Sequence, residues 1–235
     1  MKRALVTGST KGIGLSISAR LIACGYFVYM NYAHDDSTAA KIDFPADKHK
    51  IIKADLSIKN GADILITALS NDITIDCLVL NAGTTCRKPF EKIDYDDINE
   101  VMNTNVNIPF LICRKLYPHM VNHGSIIFIG SDMGIYPHAK SPVYSVSKAA
   151  AHMLAQSLVK EFAEKCVRIN TISPGFIDTE WQQEKPEWLR EKIENKIALK
   201  RFGKPEEVAD ACMFLIENTY TNGAVIQVNG GYNME

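Results

Sequence analysis

The sequence predicts an α/β fold: a single domain built on a parallel sheet with helices on both faces. Three observations lead there. Short apolar runs alternate with longer amphipathic stretches along all 235 residues. Most of the runs stop at Gly, Asn, Asp or Pro, where a strand hands over to a turn. The composition, 46% hydrophobic and 23% charged, is that of a globular chain with a sizeable core. No repeat, linker or low-complexity segment divides it.

Several function classes are excluded early. A net charge of −1 offers no basic field for nucleic acid. The start, MKRALVTGST, turns to glycine and hydroxyl residues after a short apolar run, which is neither a signal peptide nor a membrane span. The six cysteines form no CxxC pair and read as buried thiols, so a reducing cytoplasmic setting is expected. The histidines lack ligand spacing, and no metal is expected.

Taken in order, Arg3 to Thr7 is a strand that runs into Gly8, Ser9, Thr10, Lys11, Gly12, Ile13 and Gly14, followed by a helix to about Cys24 capped by Gly25. Glycine lets a backbone approach a ligand, and a helix N-terminus after such a turn offers free N–H groups to a pyrophosphate. Tyr26 to Asn31 is the second strand. A carboxylate at its end would accept from a ribose 2′-hydroxyl and select NAD. Asn31, Tyr32, Ala33 and His34 sit there instead, with Asp35 and Asp36 later and Lys11 placed to meet a 2′-phosphate. NADP is therefore the expected cofactor, with NAD open if Asp35 curls back to the ribose. His49 to Ala54 is the third strand, after which Asp55, followed by Leu56, either accepts from an adenine amino group or caps the next helix, 58–70. Strand Asp76 to Leu80 ends in Asn81-Ala82-Gly83, where the Asn could stabilise the sheet edge and the Gly admit a cofactor.

Asp94 to about His119 reads as a long helix interrupted by Pro109. Proline has no N–H for the carbonyl four residues back, so Asn105 should carry a free main-chain oxygen, which a water bridging toward Lys148 could use. The apolar run Ile126 to Ile129 is a buried strand that leads to Ser131, and the following helix, 143–164, carries Tyr144 and Lys148 on one face. A serine beside such a pair can form a proton-transfer site. The Lys148 ammonium would favour the Tyr144 phenolate, and Ser131 could hydrogen-bond a substrate oxygen. Strand Val167 to Ile172 ends in a turn containing Pro174, Gly175, Phe176, Ile177 and Thr179, again where a doubly wound fold places ligand contacts. Residues 180–200 read as a lid, with Trp181 and Trp188 available either for substrate or for packing. Pro205 opens a helix to about Ile216, and Ala224 to Val228 is the last strand, closed by Gly230-Gly231.

Together TGSTKGIG, NAG, Ser131 thirteen residues before YSVSK, SPGFIDT, RFGKPEEVAD and VNGG resemble the short-chain dehydrogenase/reductase family, most of all its 3-oxoacyl-[acyl-carrier-protein] reductases, over essentially the whole chain. The resemblance implies a seven-stranded Rossmann sheet, usually a homotetramer, and a tetrad at Asn105, Ser131, Tyr144 and Lys148. It further implies that Tyr144 is general acid or base, that Lys148 holds the nicotinamide ribose, and that Asn105 holds a water. Gly8, Lys11, Gly12, Ile13 and Gly14 would cradle the pyrophosphate. Asp55 would lie at the adenine, Asn81 behind the cofactor, and Ile177 and Thr179 at the carboxamide. Met133, Tyr136, His138, Phe176 and Trp181, with Ser131, are the expected substrate contacts. Asn122 and His123 stand where the family usually has arginine, although Lys165 keeps a basic position; this weakens docking of an acidic carrier protein. A 3-oxoacyl thioester remains the leading substrate, with a small polyol, sugar or secondary metabolite as the alternative. A dinucleotide-sensing binding module is the reading from a different class, and it would need no proton donor.

Overall fold

Seven parallel strands lie in the order β3-β2-β1-β4-β5-β6-β7 in a computed structural model that describes residues 1–69, 73–137 and 141–234. They are β1 (Arg3–Val6), β2 (Phe27–Tyr32), β3 (His49–Lys53), β4 (Ile75–Leu80), β5 (Met120–Ile129), β6 (Arg168–Pro174) and β7 (Val225–Val228). The helices are α1 (Gly12–Ala23), α2 (Asp36–Ala39), α3 (Gly61–Thr67), α4 (Tyr95–Met102), α5 (Ile108–Leu116), α6 (Pro142–Leu158), α7 (Glu180–Gln183), α8 (Glu187–Lys196) and α9 (Pro205–Glu217). This is the doubly wound Rossmann arrangement expected from the alternation of elements.

Alternate side chains of each strand feed opposite faces of the sheet. Leu78, Leu80, Ile126 and Phe128 pack with Leu65, Ile112 and Leu158 from α3, α5 and α6. Cys77, Val79, Ile127 and Ile129 pack with Ile17, Leu21, Val208 and Cys212 from α1 and α9. Continuous apolar runs such as IIFI are what a strand covered on both faces requires.

The chain order reverses between β1 and β4. The glycine turn after β1 and the Asn81-Ala82-Gly83 turn after β4 are therefore neighbours at the switch point. Asn81 joins them: its Nδ2 donates to the carbonyls of Thr7 (3.0 Å) and Gly8 (2.8 Å). Gly14 must be glycine, because an added Cβ would meet the Gly8 carbonyl and come within 2.6 Å of Asn81 Nδ2. The sequence reading gave Asn81 this edge-stabilising role.

Other boundaries differ for local reasons. β5 begins at Met120, before the apolar run. α3 starts at Gly61 rather than 58, after a turn that Asp55 closes on Ser57 (2.8 Å to its N–H). The interruption expected at Pro109 lies one turn earlier, as a π-helical segment, Asn103–Asn107, closed by Ile108 N–H on the Asn103 carbonyl. Widening the helix there accommodates a residue that cannot donate. α6 ends at Leu158, short of 164.

On β6, Arg168 is buried and donates to the carbonyls of Leu215 (2.5 Å) and Ile216 (2.8 Å), at the C-terminal end of α9. It satisfies orphan acceptors with a charge of favourable sign for the helix end. Replacing Arg168 by Met is expected to lower unfolding stability by about 2 kcal/mol, the worth of charge-assisted hydrogen bonds left unmade. Urea denaturation measures it, and an unchanged midpoint would show that the α9 cap contributes nothing.

Candidate active site

The C-terminal ends of β1, β4, β5 and β6 converge on one face, and nearly all the residues singled out in the sequence lie there. Gly8 (φ +60°) and Gly12 (φ +52°) adopt left-handed backbone that disfavours side chains. A Cβ on Gly8 would come within 2.9 Å of Ala82 Cα, and one on Gly12 within 3.2 Å of Thr179 Cγ2. Ser9 is buried and donates through N–H (2.8 Å) and Oγ (3.2 Å) to the Asn31 carbonyl. The bare backbone of this turn at the N-terminus of α1 fits a dinucleotide pyrophosphate.

The end of β2 is committed to structure. Asn31 is buried, accepting from Gly8 N–H (3.3 Å) and donating to the Ala54 carbonyl (2.9 Å). Asp35 caps α2, accepting from Thr38 N–H (3.0 Å), Thr38 Oγ1 (2.7 Å) and Ser37 Oγ (2.9 Å). Those bonds, led by the Thr38 hydroxyl, pull its carboxyl down to about 2, with the Lys11 ammonium adding to the effect. Asp36 is held by Tyr32 Oη (2.8 Å) and Lys53 Nζ (2.7 Å). Asp55 serves its Ser57 turn and faces His34 Nε2 at 3.2 Å, and the Leu56 side chain is core.

At the end of β5, Ser131 begins a single 3₁₀ turn, its Oγ accepting from Met133 N–H (3.2 Å). Lys148 is 5% exposed, and its Nζ donates to the Ile129 carbonyl at 2.8 Å. Nζ lies 5.7 Å from the centre of the Tyr144 ring. The spacing argument expects the ammonium to draw the phenol down. The structure corrects this: burial pushes Tyr144 up to about 12, with a hydrogen bond from Ser131 pulling the other way. Burial likewise pulls Lys148 down to about 8. Part of Tyr144 is accessible, but the protein crowded around the phenol makes its charged form costly. Tyr144 thus holds its proton at neutral pH, while Lys148 titrates close to it.

Asn105 joins the group through its side chain. Nδ2 donates to the Thr84 carbonyl and to Ser147 Oγ, both at 2.9 Å, and Oδ1 accepts from Thr84 N–H at 3.0 Å. Ser147 Oγ in turn donates to the Tyr144 carbonyl (2.7 Å). A Cβ on Gly83 would come within 3.2 Å of Asn105 Oδ1 and 3.4 Å of Lys148 Nζ, so that glycine leaves room for both.

The sequence reading missed Ser147 and Thr84, and also Asp132. Asp132 is buried, and its carboxylate accepts from Asn229 Nδ2 (2.6 Å), Asn233 Nδ2 (3.1 Å), Ser173 Oγ (3.3 Å) and Gln227 Nε2 (3.3 Å). The SDM triplet was legible, but these partners lie more than forty residues away.

Among the expected substrate contacts, Met133, Tyr136 and Trp181 are partly exposed. Phe176 differs: its ring packs edge-on to Tyr232 (4.9 Å) and Phe202 (6.0 Å), in a cluster with Ile193 and Ile197. His138 lies outside the described residues. Asn122, His123 and Lys165 are not at the mouth of this chain's own site. Asn122 and His123 lie in the irregular start of β5, before its regular pairing begins at Ser125, which itself stands about 20 Å from Ser131 at the strand rise of ~3.3 Å per residue; Lys165 lies at the same end. Lys165 Nζ there donates to the Met120 carbonyl (3.0 Å). Basic groups on the site face are instead Arg87, paired with Glu184 (3.3 Å), Lys88, paired with Asp97 (2.7 Å), and Arg190, paired with Asp178 (3.1 Å).

The depressed Lys148 makes stability depend on pH. Between 8 and 10.5 the unfolded chain keeps a proton that the folded chain sheds, so folding gains as pH rises through that window. Relative to Lys148→Met, the wild type is expected to gain stability across it, read by urea denaturation; a constant difference would show that Lys148 is not desolvated.

Comparison with known proteins places this geometry. Residues 8–233 match a family model described as enoyl-(acyl carrier protein) reductase. The chain is similar to the 3-oxoacyl-[acyl-carrier-protein] reductase FabG of Aquifex aeolicus (33% identity; 98% of this chain, 96% of that protein). It is also similar to glucose 1-dehydrogenase 2 of Bacillus subtilis (35% identity; 99% and 95%). Among solved structures, the angucycline C-6 ketoreductase LanV with bound NADP superposes with a TM-score of 0.93 at 25% identity, covering 100% of this chain and 96% of that one. The chain belongs to the short-chain dehydrogenase/reductase family, whose enzymes are oxidoreductases acting on CH–OH groups.

Proposed function

We propose that the protein interconverts a ketone and a secondary alcohol with NADP as preferred cofactor, Tyr144 exchanging the proton, and that a 3-oxoacyl thioester is its substrate. The observation that carries this reading is the placement of Tyr144 one helical turn from the buried Lys148, whose Nζ lies 5.7 Å from the tyrosine ring, with Ser131 beside them at the end of β5. Two hydroxyls meeting at one point serve a carbonyl oxygen.

The bound dinucleotide supplies the hydride. Gly8, Ser9, Thr10, Gly12, Ile13 and Gly14 would hold its pyrophosphate, and Asn81, Ala82 and Gly83 would back it, with Pro174, Gly175, Ile177 and Thr179 at the nicotinamide end. Ser131 Oγ already accepts from Met133 N–H, and its own hydrogen, directed toward Tyr144 in the cofactor-free site, would turn to polarise the carbonyl when a substrate enters. Tyr144 gives its proton to the developing alkoxide and would be recharged through Lys148, which titrates near working pH. The main-chain oxygen that Pro109 denies an α-helical partner would hold the water completing that path.

The preference for NADP is supported by the commitment of Asp35 and Asp36 to α2, Tyr32 and Lys53, which leaves Lys11 as the charge for a 2′-phosphate. LanV was solved with NADP. The thioester reading is supported by the full-length likeness to FabG, and a polyol or sugar reading by the likeness to glucose 1-dehydrogenase 2. We read residues 180–200 as a lid, tied down by the Arg87–Glu184 and Arg190–Asp178 pairs. A homotetramer fits the apolar groove between α5 and α6 lined by Val106, Phe110, Leu111 and Leu154, and a cytoplasmic setting fits six free thiols.

NADPH is expected to bind more tightly than NADH. Lys11→Ala should cost NADPH about tenfold while leaving NADH nearly unchanged, the worth of one charge-assisted contact; equal losses for both would reject the 2′-phosphate role. Acetoacetyl-CoA should be reduced faster than simple ketones, and Tyr144→Phe should abolish that turnover while retaining NADPH binding. Turnover of glucose-like polyols without thioester activity would replace the substrate assignment.

A further inference from the structure

One buried titratable group has no part in the mechanism above. His152 stands on α6 one turn beyond Lys148 and is 7% exposed. Its Nε2 faces the backbone N–H of Ser131 at 3.3 Å. The ring is fitted between the two glycines that flank the Ser131 turn. A Cβ on Gly130 would collide with His152 Nε2 and come within 2.5 Å of Cδ2; a Cβ on Gly134 would come within 2.9 Å of Cε1. No other residue type at positions 130 and 134 leaves room for the imidazole.

We propose that His152 is a positioning residue for the reaction, a neutral imidazole whose Nε2 accepts from Ser131 N–H and fixes where the Ser131 hydroxyl meets the substrate oxygen. The bond joins α6, which carries Tyr144 and Lys148, to the end of β5, which carries Ser131. With the bond from Lys148 Nζ to the Ile129 carbonyl, it is one of two contacts that set the spacing between proton donor and carbonyl polariser. Accepting at Nε2 requires the ring proton to sit on Nδ1. Burial, reinforced by the Lys148 ammonium, pushes His152 down to about 4 and keeps the ring an acceptor at neutral pH. The other charged group at this turn, the Asp132 carboxylate, is taken up by Asn229, Asn233, Ser173 and Gln227.

The inference rests on the reading of Ser131 given above, and the test separates the two. Histidine ¹⁵N NMR of the wild type at neutral pH, with the His152 signals assigned by their loss in His152→Gln, should show Nε2 unprotonated and Nδ1 protonated. His152→Leu should lower kcat about tenfold, as a small misplacement of a reacting group does, with the ketone KM and the NADPH Kd little changed. His152→Gln, whose side-chain oxygen can accept, should recover most of the loss. A proton on Nε2, a Gln variant as slow as the Leu variant, or full kcat in His152→Leu would each overturn the proposal. If His152→Leu fails to fold, the wild-type tautomer and the Gln variant still decide. Ser131→Ala with wild-type turnover would instead reject the reading of the site itself.

Discussion

The Lys148 ammonium is buried and bonded, among the described residues, to one backbone carbonyl at the end of β5, and the rest of the site is arranged around that constraint. A buried ammonium is destabilising unless bonded, and here burial brings its titration down to about 8. The same surroundings raise the Tyr144 phenol to about 12. One low-dielectric environment moves the two groups in opposite senses: the phenol keeps its proton and the ammonium comes close to giving one up. Gly83 leaves space beside Nζ, and Asn105 with Ser147 fastens the β4 loop to the start of α6.

Much of this was legible in the sequence because it depends on short-range spacing. Tyr-x-x-x-Lys places two side chains on one helix face, the run IIFI marks a strand buried on both sides, and TGSTKGIG between strand and helix marks a ligand-approach turn. The sheet and its helical layers followed from the alternation of elements. What stayed hidden depends on partners distant in sequence. Asp35 appeared free to reach a ribose, but capping a four-residue helix uses its carboxylate. The packing of Phe176 against Tyr232, 56 residues later, is of the same kind. Nothing in the sequence spacing singles out His152, and only the fold brings it under Ser131.

The direction of the Tyr144 shift separates the two levels of argument most clearly. Sequence spacing says that a cation is near the phenol and implies a lowered pKa. The fold says how much protein surrounds it, and desolvation outweighs the opposing hydrogen bond from Ser131. Asn122, His123 and Lys165 teach the same lesson about distance. Counted along the chain they stand close to Ser131 or balance one another, but a ten-residue strand carries them to the opposite end of the sheet. Among the charges nearer this chain's own site mouth, Arg87, Lys88 and Arg190 are each held by a carboxylate.

The central claim is that burial holds Tyr144 as a protonated acid, and ultraviolet difference titration tests it most directly. Tyrosinate absorbance of the cofactor-free protein would be followed with rising pH and compared with Tyr144→Phe. The account requires no contribution from Tyr144 through the ordinary tyrosine value of 10.0, its ionisation appearing only toward about 12. A Tyr144 phenolate forming near neutral pH would contradict it, and would mean that the Lys148 charge outweighs burial.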